Sequence, residues 1–146
     1  MAPEEAGQWM SSGFSAAKAS LWAKWQIAPL DASRWLLHNF DSPQEVKLWM
    51  RGGFEPQEAR VWAERCPLPL ESVIQFRKVG FEDADLAYRW SAVLQLPVEA
   101  ARWHELGFTP DETQEWRELG FFEAHQAYDW KQRGFTPASA LREFNS

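Results

Sequence analysis

Large aromatic residues return along this chain at steps of 13 or 14 residues, separated by mixed apolar and polar stretches. They are Trp9, Trp22, Trp35, Trp49, Trp62, Phe76, Trp90, Trp103, Trp116, Trp130 and Phe144. A fixed period marks a repeat protein, whose short unit buries its apolar face only by stacking on copies of itself. Three residues before each aromatic stands a small or aliphatic residue: Ala19, Ala32, Val46, Ala59, Val73, Ala87, Ala100, Ala127 and Leu141, with Thr113 the exception. Positions three apart share a helical face. Each unit is therefore predicted to be one helix that offers its neighbours one small and one very large side chain.

The stretch from Phe108 to Phe121 shows how such a helix is bounded. Thr109 followed by Glu112 reads as a capping box, and Pro110 falls at the first helical position, where a missing N–H costs nothing. Gly120 can take the left-handed conformation that ends helices, which puts Trp116 and Phe121 at the two touching sites of a Schellman motif. W-x-x-x-G-F is thus a helix terminator that carries its own hydrophobic clasp. It recurs at Trp9, Trp49, Phe76, Trp103 and Trp130, and at Trp35 with Asn39 in place of Gly. Three junctions, Gln26-Ile27, Cys66-Pro67 and Leu94-Gln95, depart from it. They lead to Pro29, Pro69 and Pro97, which can open the next helix.

A helix of about ten residues is roughly 15 Å long and unstable alone. Ordering one unit costs on the order of 20 kcal/mol, more than one Trp and one Phe offset, so the units must stack. The expected fold is an all-α solenoid of about ten single-helix repeats, with residues 1–146 forming one domain. Ala87-Tyr88-Arg89-Trp90 and Ala127-Tyr128-Asp129-Trp130 are near copies forty residues apart. That spacing points to three helices per superhelical turn, with two also compatible. Trp9 and Phe144 read as in register, and neither end shows the altered polar face of a terminal repeat. We therefore expect a longer natural protein or self-association through uncapped ends.

Charge changes this picture little. The 146 residues carry a net charge of −6, which disfavours nucleic acid as a partner. Many acids, such as Glu45, Glu58, Asp111 and Glu112, fall in predicted first turns. Lys24, Arg51, Arg65, Lys78 and Arg133 fall in last turns, as helix dipoles favour. The acidic start lacks the order of a signal peptide, and no apolar run approaches the roughly 20 residues of a membrane span. Cys66 is the single cysteine, so a reducing, cytoplasmic setting is expected, with that residue as buried filler.

Candidate chemistry is sparse. His38, His104 and His125 share no metal-ligand spacing with one another or with Cys66, and no phosphate loop or nucleophile elbow is present. No cofactor, metal or catalytic residue is expected. The positions two before and one after each aromatic, from Trp22 onward, contain no Asp or Glu. They include Lys47, Arg60, Arg77, Tyr88, His104, Arg117, Tyr128 and Lys131. The functional reading is a basic, tyrosine-bearing stripe for an extended acidic peptide; the plainer one is that these stems pack along the next helix. Trp25 lies outside the ladder and reads as extra core or as an exposed anchor. The expected function is a non-catalytic scaffold or adaptor that binds another protein. A nucleic-acid or small-ligand-binding solenoid, or a self-assembling structural protein, is the alternative.

Overall fold

A computed structural model describes residues 3–146, with side chains described from Glu5 onward. Among the described residues there are eleven helices and no strand: α1 (Pro3–Ser11), α2 (Ala16–Lys24), α3 (Pro29–Leu37), α4 (Pro43–Arg51), α5 (Pro56–Arg65), α6 (Leu70–Lys78), α7 (Ala84–Ser91), α8 (Pro97–Glu105), α9 (Pro110–Glu118), α10 (Ala124–Gln132) and α11 (Pro137–Phe144). The chain divides into two compact units, Met1–Ile74 and Gln75–Ser146.

The helix starts follow local chemistry. Pro occupies the first position of α3, α4, α5, α8, α9 and α11. Ser15, Ser42, Asp83, Thr109, Glu123 and Thr136 accept backbone N–H bonds as N-caps. At Thr109 the capping box is complete: its hydroxyl accepts from the Glu112 N–H at 3.1 Å, and its own N–H reaches the Glu112 carboxylate at 3.2 Å.

The helix ends share one geometry. Phe14, Phe40, Phe54, Phe81, Phe108, Phe121 and Phe135 each donate a backbone N–H to the carbonyl of the aromatic five residues earlier, at 3.0–3.1 Å. The residue before each Phe has a positive φ. Phe and Trp rings then meet edge-on, with centroids 4.7 Å apart for Trp9 and Phe14 and 4.8 Å for Trp49 and Phe54. The same Phe reaches the following helix: Phe54 lies 5.8 Å from Trp62, and Phe108 lies 6.4 Å from Trp116. One ring therefore closes its own helix and forms the wall on which the next aromatic rests.

Of the three irregular junctions, one keeps this geometry. Gln26 takes φ 59° and the Ile27 N–H donates to the Trp22 carbonyl at 3.3 Å, with Ile27 buried in the place of Phe. Trp25 is the C-cap residue of α2 and not the terminator itself. The other two junctions close with a shorter hydrogen-bonded turn. Cys66 and Leu94, four residues after their aromatics, donate to the Trp62 and Trp90 carbonyls at 2.8 and 2.9 Å and are themselves buried.

The last helix corrects one expectation. Every N-capped helix from α2 to α10 has its cap seven residues before the aromatic, as Thr109 stands to Trp116. In α11 the cap is Thr136, so the equivalent position is Glu143 and Phe144 is one residue late. Ala140, not Leu141, is the fully buried small residue, and Phe144 is 62% exposed. The small column elsewhere is buried throughout, including Thr113, whose Oγ1 has no hydrogen-bond partner.

A non-Gly residue held at positive φ costs about 1–2 kcal/mol. Gln26→Gly is expected to stabilise the protein by about 1 kcal/mol, measured by chemical denaturation. An unchanged or lower midpoint would show that Gln26 contributes more through its side chain than its backbone costs.

Candidate partner-binding surface

Once the helices are placed, the flanking columns have a defined environment. In three helices the residue after the ladder position lies over the clasp ring two helices earlier. His104 stacks on Phe81 with centroids 5.1 Å apart, the Lys131 ammonium sits 4.6 Å above the Phe108 ring, and Phe144 lies 6.5 Å from Phe121. The residue two before the ladder reaches the same junction from the side. Lys47 Nζ donates to the Gln26 carbonyl at 3.5 Å, and a Cβ on Gly52 would come within 3.1 Å of Ile74 Cγ1. These columns form the contact between helices two apart in sequence. Acids are absent from them because a short carboxylate cannot cover an aromatic face, whereas a long basic stem or an imidazole can.

The residues singled out from the sequence are placed accordingly. Lys131 is half-buried and paired with Glu112 at 2.8 Å. Arg60 pairs within its own helix with Glu64 at 2.9 Å. The Arg117 guanidinium lies 5.5 Å from the Phe122 ring and donates to the Phe122 carbonyl at 3.5 Å. Lys47, Arg77 and Tyr128 are half-buried, and His104 keeps an exposed edge beyond its stack on Phe81. Tyr88 is 44% exposed and Trp25 37%. Burial opposes ionisation of Glu112, yet hydrogen bonds from Lys131 and Thr109 outweigh it and hold the carboxyl below its usual range.

Sequence reasoning missed a second set of residues. Leu21, Leu48 and Val61 stand one before the ladder and are exposed, as are Leu30 and Leu37 on α3. In α7 to α10 the same position holds Arg89, Arg102, Glu115 and Asp129. That contrast between the two halves was available in the sequence once the column before the ladder is read by itself. Leu37 is 81% exposed and forms the ridge between two open notches of about 320 and 450 Å³.

Among the described residues, no group of three or more His, Cys, Asp or Glu is placed to hold a metal ion. No helix is long and apolar enough to cross a membrane. Cys66 is buried, and desolvation pushes its thiol up to about 11. Compared with known proteins, the chain matches no family model, no curated protein and no solved structure.

Two measurements check these environments. Raising the Cys66 pKa from 9.0 to about 11 lowers the thiolate fraction at neutral pH about 100-fold. The native thiol is therefore expected to react with a disulfide reagent at least about 100-fold more slowly than the unfolded one. The folded state binds this proton more tightly, so its contribution to stability is complete below pH 9 and is lost as the pH approaches 11. Lys131→Ala should cost roughly 1 kcal/mol through the lost ring contact and part-exposed ion pair. It should also raise the Glu112 pKa in an NMR titration; an unmoved Glu112 would contradict the pairing.

Proposed function

We propose that the protein is an α-solenoid that acts as a non-catalytic scaffold, binding another protein along its outer helix faces. The observation that carries this reading is the set of exposed apolar side chains, Leu21, Leu30, Leu37, Leu48 and Val61, on helices whose inner faces are already filled by the ladder. Large apolar side chains left exposed on an otherwise packed protein are candidates for a docking surface. Contacts such as Lys47 with Gln26 and Arg34 with Glu55, both 21 residues apart, favour two helices per turn over three. The basic side chains that pair with carboxylates or cover aromatic rings weigh against nucleic acid as the ligand.

The test is affinity capture with the full chain as bait, followed by measurement with the purified partner. A triple variant, Leu21→Ser/Leu37→Ser/Leu48→Ser, should lose at least about 10-fold in affinity for a partner that the wild type binds, with its melting temperature little changed. Tyr88→Ala/Tyr128→Ala tests the flank in the same way. A partner that binds wild type and both variants equally would place the interface elsewhere, and no specific partner would remove the reading.

A further inference from the structure

The repeat supplies its own internal controls, because every notch between three consecutive helices is built from equivalent positions. In the notch of α8, α9 and α10 the clasp ring is Phe108, and the third residue of α9 is Glu112. Tyr128 and Lys131 come from α10. Lys131 spans that notch, its ammonium 4.6 Å above Phe108 and 2.8 Å from Glu112. Ring, cation and carboxylate are all supplied by the chain, and the notch is closed.

The notch of α1, α2 and α3 has the same frame with different occupants. Its clasp ring is Phe14, and the positions of Glu112, Tyr128 and Lys131 are held by Lys18, Ser33 and Leu36. The cation has moved to the edge where the carboxylate stood, and no carboxylate among the described residues pairs with it. Ser33 fills far less space than Tyr128, which leaves an open cavity of about 320 Å³ lined by Phe14, Lys18, Ser33, Leu36 and Leu37. The Ser33 Oγ is buried and has no hydrogen-bond partner. A buried hydroxyl without a partner is costly and uncommon in folded proteins.

What this notch lacks is therefore defined by what its counterpart contains: a bulky group in the space that Tyr128 takes beside the clasp ring, and an anion within reach of the ammonium. We propose that it is a binding site for a carboxylate borne next to a bulky apolar side chain, the chemistry of a peptide's C-terminal residue. The volume suits one residue and not a longer run. A terminal residue carries both features at once, whereas an internal acidic residue needs a second residue for the apolar part. The ammonium would take the carboxylate as a charge-assisted hydrogen bond, and the apolar side chain would fill the space beside Ser33. The site rests on the scaffold reading only in assigning the carboxylate to a partner protein.

The experiment uses N-acetylphenylalanine as the probe and the full chain, with binding followed by NMR of the leucine methyl groups. Shifts at Leu36 and Leu37 with a dissociation constant of about 1 mM are expected for a ligand of this size. N-acetylphenylalaninamide, which lacks the carboxylate, should bind at least about 10-fold more weakly, as should the acid to Lys18→Gln. Ser33→Tyr, which copies the closed notch, should abolish binding without lowering the melting temperature. Lys18→Glu/Leu36→Lys, which rebuilds the internal ion pair, should do the same. Absence of shifts up to about 10 mM would overturn the proposal, as would equal binding of the amide or equal binding to Lys18→Gln. Fragment binding is measured without any partner, so its failure would leave the capture experiment on the outer apolar surface untouched, and the reverse also holds.

Discussion

The rest of the structure depends on one contact, the edge-on meeting of a clasp phenylalanine with the tryptophan five residues before it. A helix of nine residues has too few internal hydrogen bonds to persist alone. The 6→1 hydrogen bond from Phe to Trp, together with the ring contact, turns the end of each helix into a fixed corner. The same ring then serves the next two helices. It meets the following tryptophan edge-on, as Phe54 meets Trp62, and carries the flank residue of the helix beyond, as Phe108 carries Lys131. One side chain thus joins three consecutive helices, and where it is absent the chain closes the helix one residue earlier and buries Cys66 or Leu94 instead.

Because the ladder and the clasps occupy the inner faces, binding chemistry is confined to residues that the packing does not consume. The flank columns are largely consumed: their cations cover rings or meet carboxylates. What remains differs between the two units. In Met1–Ile74 the column before the ladder is partly apolar and exposed, and one notch, lined by Lys18 and Ser33, is left open. In Gln75–Ser146 the same column is charged from α7 to α10, and the equivalent notch is closed by Lys131 and Glu112. The repeat has the same frame at both places, and a few substitutions on it decide whether a face is finished or left available.

Much of the helix order was legible in the sequence because its signals are local. Proline, threonine and glycine act within one turn, and Trp and Phe repeat at a spacing that needs no partner to be seen. Gln26 was not legible as a left-handed residue, since Gln has no intrinsic preference for that conformation and takes it only because Ile27 is drawn into the core. Phe144 was misread for a related reason. Its distance from Trp130 suits the ladder, whereas its distance from the Thr136 cap does not, and the cap sets the face. The pairing of Lys131 with Glu112 and the opening beside Ser33 were hidden because they join helices whose relative placement the sequence does not state.

The short reach of the clasp also bears on how the chain folds and how it can change. Every ring contact and interhelix hydrogen bond noted above lies within a unit and links helices no more than two apart. Such a low contact order makes loop closure inexpensive and folding fast, and structure can nucleate at any helix and spread outward. Loss of one helix is felt chiefly by its immediate neighbours, so opening should proceed in steps of single helices and not all at once. For the same reason an insertion or deletion of a whole unit disturbs little beyond its own borders. The chain can lengthen or shorten by entire helices while every surviving corner keeps its geometry.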